Sequence, residues 1–186
     1  MTAPTASADA RHASVLPEMA ARLQRGALTA ATSPGTQARL AAQGCHWHTG
    51  TWRIFPGTPD QVAHVRRYLR SQLAGHPALD DAMLTASELA SNAIRHTASG
   101  HQGGMFAVHL TLASPHHIAV MVTDQGGPNQ PRISHPGTGQ DSGRGLEVVA
   151  ALASLLITSG DTTGRSVLAV IPDAEDDTAS RSKSLR

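Results

Sequence analysis

Residues 88–96 read ELASNAIRH, inside a stretch otherwise dominated by leucine, alanine and isoleucine. Glu88, Asn92 and His96 stand four residues apart, a spacing that stacks side chains on one face of an α-helix. Thr85 and Arg95 share that face, while Ala82, Ala86, Leu89, Ala90, Ala93 and Ile94 fill the other. An acceptor-only carboxylate, an amide and an imidazole therefore project together from an otherwise greasy helix. Two further stretches carry chemistry. Asp124 ends an apolar run and leads into Gly126, so its carboxylate can accept from an exocyclic amine while the glycine lets backbone approach a ring. GRGL at 143–146 is a glycine pair opening a helical pattern, and free N–H groups at such a start suit a phosphate chain. Taken alone, each has a plainer reading: a solvated helix face, an Asp-x-Gly turn, and a loop meeting a helix.

The elements that must hold these residues are legible from periodicity. TWRIF (51–55) reads as a short strand closed by Pro56 and Gly57. Val62, Val65, Leu69 and Leu73 follow at helical spacing, with Thr58 or Asp60 as cap and Gly75 as stop. The ELASN helix comes next and ends by Gly100. MFAVHLTLA (105–113) and HIAVMVTD (117–124) read as strands of a hairpin. Residues 125–143 hold five glycines and three prolines in 19 positions, a loop long enough to be a ligand-ordered lid. GLEVVAALASLL then reads as a third helix and RSVLAVI (165–171) as the last strand. The expectation is an α/β protein of the α+β kind: a two-layer sandwich, its mixed sheet carrying three helices on one face. Residues 1–49, rich in Ala, Thr, Ser, Gly and Pro, read as a mostly disordered arm, residues 50–171 as the folded domain, and 172–186 as a loose tail.

Composition bounds the partners. The 186 residues carry a net charge of +1 and 3% aromatics, which argues against binding nucleic acid by phosphate attraction or base stacking. One cysteine, no apolar run of membrane length and no signal-peptide pattern lead us to expect a soluble, cytoplasmic protein with no membrane contact. CHWH at 45–48 has soft ligands but no second cluster to complete a zinc site; Trp47 and Trp52 are expected to pack the end of the arm on the sheet. A dinucleotide fingerprint needs a strand directly before its glycines, where this chain has GTGQDS, and a Gly-x-Ser-x-Gly nucleophile elbow is absent.

ELASN (88–92), DQGGP (124–128), GRGL (143–146) and TGRS (163–166), in this order, resemble the nucleotide-binding boxes of the ATPase fold shared by histidine kinases and gyrase B. The likeness spans residues 50–171 and is nearest to bacterial anti-sigma-factor serine/threonine kinases. The resemblance implies a histidine-kinase-like ATPase fold binding ATP and Mg²⁺, with Asn92 as metal ligand and Glu88 as general base. Asp124 and Gly126 would hold the adenine, Gly143, Arg144, Gly145 and Leu146 the phosphates, and Ser166, or Thr163, a phosphate or the adenine side. His96 reads as structural. The implied partners are a sigma factor and an anti-anti-sigma factor carrying the acceptor serine, with a homodimer possible. Family aromatics are replaced by Leu155, Leu156, Leu168 and Ala169, and the lid has Arg132 and His135 but no lysine. Two other functions remain open: an ATP-gated binding module without catalysis, and a detached histidine-kinase domain. The last needs an acceptor histidine on a dimerising helix, and the arm holding His12, His46 and His48 has no heptads.

Overall fold

The computed structural model describes residues 8–47, 50–128 and 144–173. Along these run α1 (Ala8–Thr32), α2 (Pro34–Ala41), β1 (Thr51–Pro56), α3 (Gln61–Gln72) and α4 (Leu79–His96). A 3₁₀ turn (Ala98–Gly100) leads to β2 (Met105–Ser114), β3 (His117–Asp124), α5 (Arg144–Leu152), β4 (Leu155–Asp161) and β5 (Gly164–Pro172). The strands form one sheet in the order β1-β2-β3-β5-β4.

Side chains alternate across a strand, and in β3 and β5 both sets are apolar. Ile118, Val120 and Val122 of β3, with Val167, Ala169 and Ile171 of β5, pack against α3, α4 and α5. Ala119 and Met121, with Leu168 and Val170, pack instead against Ala27, Ala30 and Ala31 of α1 and Leu40 of α2. The sheet is therefore covered on both sides. The α/β class and the three helices on one face are as expected, and two details are corrected. Every adjacent strand pair is antiparallel, so the sheet is not mixed. The layers number three, because the arm is not disordered over 8–47: it supplies the second helical cover.

That cover has a simple physical basis. Leu23, Ala27, Ala30 and Ala31 follow the i, i+4, i+7, i+8 pattern of a buried helical stripe, and all four are buried. Pro34 opens α2, and the hydroxyl of Ser33 accepts from the Thr36 N–H at 3.2 Å as its cap. Trp47 packs into the same cluster as expected, whereas Trp52 lies on the other strand edge, stacked on His109 with ring centroids 5.7 Å apart. Cys45 is buried in this second core.

The third helix also ends sooner than its pattern implied. Leu155 and Leu156 belong to β4, which pairs with β5 through Leu155↔Val170 to Asp161↔Gly164. Strand β4 was missed because its apolar start continues the helical run. Among the described residues no helix is long and apolar enough to cross a membrane. The expected tail begins inside β5, since Pro172 closes that strand and Asp173 is buried; 174–186 lie outside the described residues.

If α1 and α2 are part of the fold, emptying their best-buried side chain must cost stability. Leu40→Ala is expected to destabilise the protein by about 2–5 kcal/mol, the usual range for a buried Leu→Ala. Urea unfolding of the full chain measures it; a change near zero would return the arm to disorder.

Candidate functional site

Helix α4 turns its alanine side to the sheet: Ala82, Ala86, Ala90 and Ala93 are buried in the main core. Its other side carries Glu88 and Asn92, each half-buried, with Thr85 fully buried one turn earlier. Against them lies the first turn of α5. A Cβ added at Gly145 would sit 2.4 Å from Glu88 Oε2 and 3.8 Å from Asn92 Nδ2. Only a glycine lets the backbone of that turn come so near the two side chains. Leu146, next along, anchors α5 by burying its side chain in the core, so its part in the site is positional. Arg144 begins α5, while Gly143 and all of the expected lid beyond residue 128 lie outside the described residues.

Two polar atoms here have no described partner although buried: Asn92 Nδ2 and Thr85 Oγ1. An unpaired buried polar group costs about 1–3 kcal/mol, so such atoms mark where a ligand would repay it. Either orientation of the Asn92 amide presents a polar atom to the start of α5. A carboxylate, an amide and a helix N-terminus thus converge, with the positive end of the helix dipole at the centre. His96 ends α4 exposed, and the cap belongs to Thr97, whose hydroxyl donates to Ala93 O at 2.6 Å and accepts from Ser99 N.

The second half of the site is the turn after β3. Asp124 is 5% exposed, and its Oδ1 accepts from the Gly126 N–H at 2.6 Å. Gly126 has φ +74, and a Cβ there would meet Thr162 O at 2.3 Å, so glycine is required on both counts. The Ala98 N–H donates to Gly126 O at 2.7 Å, tying the turn to the end of α4. Gln125 is held as well: its N–H donates to Ser99 Oγ, and its Oε1 accepts from the Met105 N–H.

The β3–β5 register decides which box residues share this pocket. Asp124 pairs with Arg165, and Thr123 with Ser166. Paired residues in an antiparallel ladder project to the same face. Asp124 and Arg165 therefore belong with Val122 and Val167 on the α4–α5 side. Ser166 belongs with Thr123 on the α1 side, where the two hydroxyls meet at 2.8 Å. The expectation for Ser166 differs from this placement: its side chain turns to the α1 side of the sheet, away from Glu88 and Asn92. Thr163 is an exposed turn residue bonded to Asp161. The residue overlooked is Arg165, 4% exposed, with Nη2 donating to Gly127 O at 3.5 Å. Period-two counting back from Val167 would have found it.

Burial pushes the Asp124 carboxyl up to about 6, against the opposing pull of the Gly126 N–H and the Arg165 charge. The sign of the linkage follows. The native state holds this proton more tightly than the unfolded chain, whose group titrates near 3.8. Its contribution is therefore fully present below about pH 4, is lost as pH rises through about 6, and is constant above. The loss amounts to about 3 kcal/mol, at roughly 1.4 kcal/mol per tenfold change in proton affinity. Asp124→Asn should flatten that part of the stability–pH curve; identical curves for the two proteins between pH 4 and 7 would show Asp124 to be solvated.

Comparison with known proteins agrees with this geometry. Residues 55–171 match the family model described as the histidine kinase-like ATPase domain. No curated protein matches. Among solved structures, the RsbU and RsbW domains of Rv1364c from Mycobacterium tuberculosis match with a TM-score of 0.51 at 20% identity. That match covers 68% of this chain and 32% of the other, so the chain spans about a third of that protein and shares its fold. The family match takes in the end of β1, strands β2 to β5 and helices α3 to α5: the chain belongs to the histidine kinase-like ATPase domain family.

Proposed function

We propose that this domain is an anti-sigma factor that binds Mg²⁺-ATP in the cleft between α4 and α5 and phosphorylates a serine or threonine of an anti-anti-sigma partner. The observation that carries the reading is the meeting of Glu88, Asn92 and the Gly145 turn, with the Asn92 amide buried and unpartnered. Asp124 reads the exocyclic amine of adenine, and Gly126 clears space for the ring. Arg165 balances the Asp124 charge. Free N–H groups at the start of α5 receive the phosphates. Asn92 would hold Mg²⁺, which when bound offsets phosphate charge and fixes the transferring group. Glu88 accepts the proton of the attacking hydroxyl as its oxygen bonds to phosphorus and the bond to the leaving diphosphate breaks. Arg144 adds a cation to the phosphate end. The fold likeness to an RsbW domain is consistent with this branch of the family, as are the four boxes. Sigma-factor binding, dimer formation and a cytoplasmic setting complete the proposal.

A binding module in which ATP only sets the conformation has the same pocket. Glu88 favours the kinase, because holding a nucleotide needs no carboxylate near its phosphates.

Three substitutions separate the two. Glu88→Ala should leave ATP affinity within a few-fold and lower phosphotransfer about 10²–10⁴-fold, the usual worth of a positioned base. Asn92→Ala should reduce affinity and rate together, since it removes a metal ligand. Gly145→Ala adds a methyl that only the flexible end of Glu88 must avoid. Folding stability should hold, helped by alanine's helix propensity, while transfer falls. ATP titration beside radiolabel transfer to a partner captured from lysate decides the matter. Bound ATP without any labelled partner would leave the binding module.

A further inference from the structure

The face of the sheet opposite the nucleotide cleft holds a cavity of its own, about 400 Å³, between α1 and the ends of β3, β4 and β5. Its size falls within the usual range of small-molecule sites, about 300–1,000 Å³. Its origin is local. Where α1 crosses Thr123 and Ser166 it presents Gly26 and Ala30, and a Cβ at Gly26 would come no nearer than 3.6 Å to Thr123 Cγ2. Small residues on the helix and short hydroxyl residues on the strands leave the space unfilled.

The lining divides into three. The floor is the buried Thr123–Ser166 hydroxyl pair. Only one of the two protons is used between them, so the pair can still donate one hydrogen bond and accept others. The walls are apolar, with Met19, Leu23 and Ala30. The mouth carries two guanidiniums, Arg22 and Arg25, beside the Asp161 carboxylate, while the turn at Asp124 and Gln125 completes the lining, the Asp124 carboxylate accepting from the Gly126 N–H. Arg22 is committed, donating to Thr163 O, and Asp161 is committed to the Thr163 N–H and hydroxyl. Arg25, one helical turn from Arg22 and exposed, has no acceptor among the described residues.

We propose that this cavity is a second ligand site, for a compact carboxylate with an apolar body and a hydrogen-bonding far end. The carboxylate meets the fork of Arg25 at the mouth, which matches its two oxygens. The body lies along Met19 and Leu23, and the far end reaches the hydroxyl pair. A cationic ligand would face two guanidiniums, and a wholly apolar one would bury the floor hydroxyls without a partner. The site also has a route to the other face. Thr123 and Ser166 each adjoin, along the chain, the pair Asp124 and Arg165 that faces the opposite layer.

The probe is 4-hydroxybenzoate, added to the full chain without nucleotide and followed by calorimetry and by NMR of the α1 amides. Saturable binding is expected, at least tenfold weaker for the uncharged 4-hydroxybenzamide and for Arg25→Gln. That variant removes an exposed charge and leaves the folded core alone. Gly26→Leu, which fills the space, should abolish binding while the unfolding midpoint is retained. No saturable binding at millimolar probe, equal binding of acid and amide, or binding indifferent to Arg25→Gln would each overturn the proposal.

Discussion

The antiparallel pairing of β3 with β5 is the constraint on which the rest of the molecule depends. Because side chains alternate, one register sorts every residue of these two strands into one of two layers. Asp124 and Arg165 fall on the α4–α5 side; Thr123 and Ser166 fall on the α1 side. A slip of one residue would turn Asp124 away from the cleft and expose Val120 and Val122 to the wrong layer. Five consecutive apolar pairs, Ile118↔Ile171 to Val122↔Val167, oppose such a slip, so core packing and site geometry are fixed by the same fact.

Much of this was legible in the sequence, for identifiable reasons. The α4 pattern was clear because alanines and polar residues segregate at a period near 3.6, and Asp124 was clear because a charge follows seven residues that start an apolar strand. The arm was illegible for a compositional reason. Its buried stripe is made chiefly of alanine, which scores as neither core nor surface, so Leu23, Ala27, Ala30 and Ala31 do not stand out. The better signal lay elsewhere, in β3: IAVMV has no polar alternate, which means a strand covered on both faces. A sheet of that kind requires a second layer, and only the arm was left to supply it.

The errors around the last box share one cause. LLITSGDTTGRSVLAVI was divided into the end of a helix, a loop and a strand, although GDTTG is a turn between two pairing strands. Once β4 is recognised, the hairpin sets the phase of β5, and the phase decides between Arg165 and Ser166. Motif matching put Ser166 in the cleft because its residue type suited a phosphate. Strand parity assigns the cleft to Arg165.

The small residues of α4 bear on the site as much as its polar ones. With Ala82, Ala86, Ala90 and Ala93 against the sheet, the helix axis can lie closer to the strands than leucines would permit. Side chains with no rotamers also leave the helix little freedom to rock. On its far side, Gly145 allows α5 the same close approach to Glu88 and Asn92. The two polar groups thus sit where the backbones of α4 and α5 come close together. For a carboxylate proposed to meet a hydroxyl proton, placement is the larger part of what a protein can contribute, since a misplacement of about 1 Å costs orders of magnitude in rate. A site meant only to bind anionic phosphates would gain little from a carboxylate beside a helix N-terminus, and this placement is the physical argument for the proposal that Glu88 is a working base.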